Sequence, residues 1–368
     1  MKAVIWGAGG TAEDFLRRKM LYEGYEIIAF TDNNSNVWGK IFWEDKKIIA
    51  PSLLKELEFD VIIVCSLHME AIYDQLIEKL HISSDRILSY RDLEKTAAAR
   101  VADQYKNRKE KEIQDVLAVY RKGILNVLGS YLPEDIRYCE VYRDEEAYPY
   151  IMFEGKRMYY PPDYKFQIKD GKEVILDVLY EQGEDSPHLY VRDDGEIPDD
   201  GVIVDAGVCE GNFALRYVER ARKIYLIESD PKWMDALRRT FSDYSDKVVY
   251  CSKYLSRFET KEMTTLDALV EEEIDFLKMD IEGAEIDALL GGRDILRRSN
   301  AKCAICSYHR QFDEKYIRFL LQSYGYMTEH SKGYMFFPYD DNMGSTLDLR
   351  RGVVYGRKEA AVGDRSGL

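Results

Sequence analysis

Two carboxylates at the ends of successive apolar runs carry the clearest chemistry in this chain. The run Val202-Ile203-Val204 ends in Asp205, turns through Gly207 and Gly211, and enters an amphipathic segment. The next run, Ile224 to Ile227, delivers Glu228. Ligands of open α/β sheets gather at the carboxyl ends of the strands, where an acid on the second strand takes ribose hydroxyls. Gly207 and Gly211 allow the backbone to approach a ligand with no Cβ between them. Asp205 and Glu210 make the turn negative, which repels a pyrophosphate and attracts an ammonium group. A nucleoside with a cationic tail suits this turn, and S-adenosylmethionine (SAM) is such a molecule. The expected SAM contacts are Asp205, Gly207, Glu210, Gly211, Glu228 and, from a later strand, Asp280. The plain alternative is a tight turn carrying a solvated acid.

That later strand is the more specific signal. Asp275-Phe276-Leu277-Lys278-Met279-Asp280-Ile281-Glu282-Gly283-Ala284-Glu285 follows Thr264-Thr265-Leu266-Asp267-Ala268-Leu269 and precedes Ala288-Leu289-Leu290-Gly291-Gly292. The stretch resembles the FkbM family of SAM-dependent O-methyltransferases, whose pattern runs close to T-L-D, then D-F-x-K-x-D-x-E-G-x-E, then L-x-G. The resemblance spans roughly residues 200 to 310. It implies a class I methyltransferase domain, Rossmann-like and seven-stranded, with SAM as cofactor. Val208-Cys209-Glu210 departs from the filler common in the family, so the details of the cofactor loop are less defined by it.

Methyl transfer asks little of a protein. The sulfonium is already a strong electrophile, so an acceptor oxygen must be aligned behind the methyl group and relieved of its proton. Asp280 lies at the carboxyl end of the fourth strand, with Glu282 close behind. His309 follows the fifth strand and should rise beside them. Asp280 and Glu282 are the expected acid/base pair, with His309 as the alternative base and Lys278 as a neutralising or activating cation. His188 joins this set through a polar stretch, Gln182, Ser186, His188 and Tyr190, that precedes the first strand. The competing readings are structural: a Lys278–Glu285 ion pair, a capping hydrogen bond at His309, and an ordinary loop around Pro187. Three carboxylates and a histidine are also compatible with a divalent cation, but no residue is assigned to a metal.

The N-terminus carries a second turn of the same style. Gly7-Ala8-Gly9-Gly10-Thr11-Ala12 follows a strand and opens a helix, and Asp32 ends the next strand. This is the arrangement of a nucleotide-binding turn with its ribose acid. It resembles the nucleotide-binding module of acetyltransferases that act on nucleotide-linked sugars. Gly7, Gly9, Gly10 and Asp32 would then hold a nucleotide or nucleotide-sugar. Glu13 and Asp14 in the first helical turn oppose a pyrophosphate and serve the helix dipole instead. A docking module without a ligand is the alternative.

Around these sites the chain reads as α/β throughout. Residues 1–92 form a small Rossmann-like domain with a parallel sheet, and 93–130 a helical linker. Residues 131–200 form an aromatic, turn-rich, strand-forming extension, 201–358 the methyltransferase domain, and 359–368 a disordered tail. The expected strands of the larger domain are 202–204, 224–227, 248–251, 274–278, 303–307, 334–337 and 352–355, the last two closing the sheet. Cys303 and Cys306 lie within one strand, where residues three apart face opposite sides and cannot share a metal.

The formal charge of −15 over 368 residues argues against a nucleic-acid partner. No apolar run reaches membrane-spanning length. Six scattered cysteines form no disulfide framework. A cytoplasmic enzyme is expected, acting on a small hydroxyl acceptor, with a sugar or glycan precursor favoured by the front domain. The sequence leaves oligomeric state open. A nicotinamide-dependent oxidoreductase and a non-catalytic SAM or nucleotide sensor are the competing functions.

Overall fold

A computed structural model describes residues 1–133 and 135–359, so most of the expected tail lies outside the described residues. The chain divides into two compact units, Met1–Ser130 with Phe336–Leu349, and Tyr131–Met335 with the chain from Arg350 onward. No helix among the described residues is long and apolar enough to cross a membrane.

The first unit is a six-stranded sheet in the order β3-β4-β2-β1-β5-β6. Its strands are β1 (Lys2–Trp6), β2 (Glu26–Thr31), β3 (Ile41–Trp43), β4 (Lys46–Ile49), β5 (Val61–Val64) and β6 (Ile87–Ser89). β1, β2, β4, β5 and β6 run parallel, while β3 turns back against β4 as an antiparallel edge. This edge departs from the all-parallel expectation. The turn Glu44-Asp45 between its short strands is a hairpin signal too brief for a periodicity to register. α1 (Gly10–Arg17) stops at Arg18. The buried Arg18 guanidinium pairs there with Asp14 at 2.6 Å and Glu94 at 2.5 Å.

A short helix follows β5 (α2, Met69–Asp74). The linker is then two helices, α3 (Tyr90–Gln104) and α4 (Lys111–Tyr120), and not one. The break falls at Lys106-Asn107-Arg108-Lys109-Glu110, a charged run with no apolar face to bury. Residues 336–349, which the sequence assigns to the larger domain, cluster with this unit. Phe336 donates its N–H to the Val127 carbonyl at 2.9 Å and its ring meets Tyr120 edge-on.

The second unit opens with two three-stranded sheets. The strands are β7 (Tyr138–Glu140), β8 (Tyr142–Arg143), β9 (Pro149–Phe153), β10 (Lys156–Tyr159), β11 (Gln167–Lys169) and β12 (Lys172–Leu176). The main sheet then runs β13 (Val202–Ala206), β14 (Lys223–Ile227) and β15 (Val248–Cys251). A minor pair, β16 (Tyr254–Leu255) and β17 (Met263–Thr264), precedes β18 (Phe276–Met279), β19 (Lys302–Cys306), β20 (Met327–His330) and β21 (Val353–Arg357). The spatial order is β15-β14-β13-β18-β19-β21-β20, with β21 antiparallel to both of its neighbours. This is the seven-stranded class I methyltransferase plan.

The expected strand at 334–337 is absent; only an isolated bridge, Met335 to Arg350, forms there. β20 takes the place instead. Its Met-Thr-Glu-His sequence is exposed at the sheet edge, so it lacks the apolar signal of a buried strand. The central strands are apolar on both faces because helices cover both: α5 (Asn212–Tyr217) and α6 (Pro231–Thr240) after β13 and β14, then α7 (Leu266–Leu269), α8 (Glu285–Leu290), α9 (Arg293–Arg298) and α10 (Asp313–Ser323). Val202, Val204, Leu277, Met279 and Ile305 are wholly buried between them. Cys303 and Cys306 are buried free thiols of β19.

Candidate active site

At the carboxyl ends of β13, β14, β18 and β19 lies a cavity of about 660 Å³. The loop after β13, the segment 175–190 and the turn after β18 enclose it. Pockets of this size hold cofactor-sized ligands. Val208, Cys209 and Glu210 form one wall, Glu228 and Trp233 another, and Lys278, Asp280 and Tyr308 the floor.

Gly207 sets the shape of the loop. Its φ is +75°, and a Cβ there would stand 1.7 Å from the Asp280 carbonyl oxygen. β13 and β18 can close up at the cavity floor only with glycine at this position. Gly211, at φ +85°, turns the chain into α5. Glu228 binds the loop from the next strand: Oε2 accepts the Cys209 N–H at 3.0 Å and Oε1 accepts the Asp230 N–H at 2.9 Å. One carboxylate thus fixes both the cofactor-loop backbone and the N-cap of α6.

The sequence reading puts Asp205 at the ligand; the structure puts it beneath the cavity. Asp205 is wholly buried and pairs with Lys278 Nζ at 3.1 Å. The two residues are direct partners in the β13–β18 register, which turns both side chains to the same face. The Lys278 ammonium also donates to the Gly207 carbonyl at 2.5 Å, so the pair props the cofactor loop from below. Burial opposes the charge on Lys278, but Asp205 and Asp280 outweigh it and push its pKa above the ordinary value. No Lys278–Glu285 pair forms. Glu285 is buried on the other side, accepting the Ile281 N–H at 2.9 Å and lying 3.1 Å from His309 Nδ1.

Asp280 is the hub of the floor. Its Oδ2 accepts from the Tyr190 hydroxyl at 2.8 Å and lies 3.3 Å from His188 Nε2. Its Oδ1 accepts from the Tyr308 hydroxyl at 3.3 Å and lies 3.4 Å from His309 Nε2. Burial works against its charge, but His188, His309 and Lys278 hold the carboxyl far below the usual carboxylate range. Despite its burial, His188 is pushed up to about 10 by Asp280 on one ring nitrogen and Glu181, at 2.7 Å, on the other. His309 shifts upward as well; burial opposes its charge, and Glu285, Asp280 and Glu282 overcome that.

Glu282 stands apart from this cluster. It adopts a left-handed backbone conformation, φ +56°, and its side chain is 82% exposed, 3.6 Å from His309 Nε2. Two groups bring ligand-type atoms within 4.8 Å of one another: His188, Asp280 and Cys306, and Asp280, Glu285 and His309. In both, the histidine stands at ion-pair distance from the carboxylates.

The segment before β13 reaches this floor as expected in part. Gln182 clamps it, donating to the His188 carbonyl at 2.9 Å and accepting the Tyr190 N–H at 3.0 Å. Ser186 is buried and caps the His188 N–H, so it shapes the loop without lining the cavity. Sequence reasoning missed Glu181, Tyr308, the aromatic wall of Tyr160, Tyr164 and Trp233, and Arg350, whose guanidinium donates to the carbonyls of Tyr308 and His309. The aromatics of the extension were visible only as composition, since nothing local tells a core tyrosine from a cavity wall.

The N-terminal turn has a different character. A Cβ on Gly7 would stand 2.3 Å from the Cys65 carbonyl oxygen, so glycine there serves the approach of β1 to the chain leaving β5. Gly9 and Gly10 face open space. Asp32 accepts the Ala8 N–H through one oxygen, at 3.0 Å, and the Asn34 N–H through the other, at 2.8 Å. Both oxygens close the turn on itself.

Residues 252–328 match the model of the methyltransferase FkbM domain, and residues 1–88 match that of C2185-like proteins, N-terminal. No curated protein matches the chain. Similar solved structures include an FkbM methyltransferase from Methylobacillus flagellatus KT, 16% identical, covering 96% of this chain and 89% of that one at a TM-score of 0.47. Another is a putative methyltransferase, SMU.1697c, from Streptococcus mutans in complex with SAH, 13% identical, over 44% of this chain and 90% of that one, TM-score 0.32. A third is magnesium protoporphyrin IX methyltransferase from Synechocystis PCC 6803 with bound SAM, 14% identical, over 45% and 73%, TM-score 0.32. The stretch that matches the methyltransferase FkbM domain, residues 252–328, lies within the second unit and runs through β18 and β19 at the floor of the cavity.

Proposed function

We propose that the protein transfers the methyl group of SAM to a hydroxyl of a small, carbohydrate-like acceptor. The observation that carries this reading is the single cavity with two chemically different ends. At one end Glu228 and the Val208–Glu210 loop offer a carboxylate for ribose hydroxyls and negative charge for the ammonium and sulfonium groups of SAM. At the other, Asp280 and its ring of tyrosines and histidines present a dense polar floor to the acceptor. The aromatic residues Tyr160, Tyr164 and Trp233 pack together beside Glu210 and Glu228, at the cofactor end, where they suit the flat adenine ring of SAM.

The chemistry follows from placement. The acceptor oxygen must approach the methyl carbon opposite the sulfur, and the rate gained comes from holding the two in line. Both Asp280 oxygens are already engaged, one by Tyr190 and His188 and the other by Tyr308 and His309, so Asp280 orients the acceptor pocket together with Tyr190 and Tyr308. The acidic lining, with Glu181, Glu210, Glu228, Asp280 and Glu282, also disfavours a phosphate-bearing acceptor, so a free or glycosidically linked sugar matches better than a nucleotide-sugar. Cytoplasmic residence fits the six free cysteines, and the overall negative charge speaks against nucleic acid.

The test is incubation of the full chain with SAM tritiated in the methyl group and a mixture of neutral monosaccharides and their methyl glycosides, followed by product mapping. Label in an alkali-stable ether supports the reading. Label only in amines or thiols, or none at all, removes it.

A further inference from the structure

If a hydroxyl is methylated in this cavity, some group must take its proton, and the four obvious candidates on the floor are all poorly suited. Asp280 is held on both oxygens by Tyr190, Tyr308, His188 and His309. His188 is only 5% exposed, with Glu181 on one nitrogen and Asp280 and Tyr190 on the other. His309 is 4% exposed and faces Glu285 and Asp280. Lys278 is spoken for by Asp205 and the Gly207 carbonyl.

Glu181 differs from all of them. It lines the cavity beside His188 and Tyr308, and its side chain is half exposed at 51%. Oε2 is bound to His188 Nδ1 at 2.7 Å, while Oε1 makes no hydrogen bond among the described residues. One oxygen therefore anchors the side chain to the polar floor and leaves the other without a protein partner among the described residues, on a side chain that lines the cavity.

We propose that Glu181 is the catalytic proton acceptor, a role that rests on the O-methylation reading. As the acceptor oxygen forms its bond to the methyl carbon, the carbon–sulfur bond breaks and its electron pair goes to sulfur, leaving a neutral thioether. The hydroxyl proton passes to Glu181 Oε1. A cation and a carboxylate are consumed together, so charge balances, and the exposed side of Glu181 returns the proton to water. His188 acts here as a positioning residue, holding the carboxylate from behind. The base thus comes from the segment before β13, outside the stretch that carries the family pattern.

The test compares the full-length wild type with Glu181→Gln and Glu181→Asp, using tritiated SAM and the same monosaccharide mixture, with SAM affinity by calorimetry and folding by thermal melt. Glu181→Gln should lower kcat roughly 100- to 10,000-fold, with SAM affinity and melting temperature nearly unchanged, and Glu181→Asp should recover part of the rate. A Glu181→Gln kcat within about threefold of wild type overturns the proposal. So does a parallel loss of SAM affinity, or an unfolded Glu181→Gln beside a folded but fully active Glu181→Asp. A wild type that methylates no hydroxyl defeats the underlying reading instead.

Discussion

Gly207 and Asp280 touch through backbone alone, so closely that a Cβ on the glycine would stand 1.7 Å from the aspartate carbonyl oxygen. The cofactor loop and the polar floor of the cavity are therefore one construction. Gly207→Ala should both destabilise the second unit, by about 2 kcal/mol or more, and weaken SAM binding. Chemical denaturation and calorimetry check it together. An alanine variant of native stability and affinity would show that the two strand ends can part without harm.

His188 ties stability to pH. Its pKa is raised to about 10 in the folded protein from an ordinary value of 6.5. A group raised in this way stabilises the fold fully below its unfolded pKa, and the contribution is lost as pH rises through the folded value. The stability gap between wild type and His188→Gln should therefore be widest near pH 6 and shrink toward pH 10. Denaturation midpoints across that range measure it. A gap that stays constant or grows with pH would mean that the imidazole is neutral between Glu181 and Asp280.

Tyr160 carries a hydroxyl that is shut off from solvent and has no hydrogen-bond partner among the described residues. Burial, reinforced by Glu210, pushes its pKa well above the ordinary value, so it stays a donor. An unsatisfied buried hydroxyl costs about 1–3 kcal/mol. Tyr160→Phe should accordingly raise the melting temperature of the ligand-free protein. A lower melting temperature would reveal a partner for the hydroxyl.

Much of this architecture is legible in the residues themselves. The apolar runs that become β13, β14, β18 and β19 are buried on both faces, so burial writes them plainly. Glu228 and Asp280 can be read because each closes such a run. The edge strand β20 cannot, since it is exposed and polar. Asp205 illustrates a different blindness: a strand-end acid looks the same whether it meets a ligand or a lysine, and only the β13–β18 register brings Lys278 across from it. The Glu181–His188–Asp280 chain joins an irregular loop to a strand end some 90 positions away, and no local spacing encodes that. In the first unit the glycine turn reads as a ligand site, although Gly7 is needed by the Cys65 carbonyl and Asp32 by two neighbouring N–H groups.

Glu228 offers the most direct measurement. It is the only strand-end acid of the pair Asp205 and Glu228 that faces the cavity. Calorimetric titration of SAM into the full chain should show one site in the second unit. Glu228→Ala should weaken that binding at least about tenfold, which is about 1.4 kcal/mol, while the protein remains folded. A wild type that gives no heat with SAM, or a folded Glu228→Ala that binds it as tightly, would contradict a cofactor seated on this carboxylate.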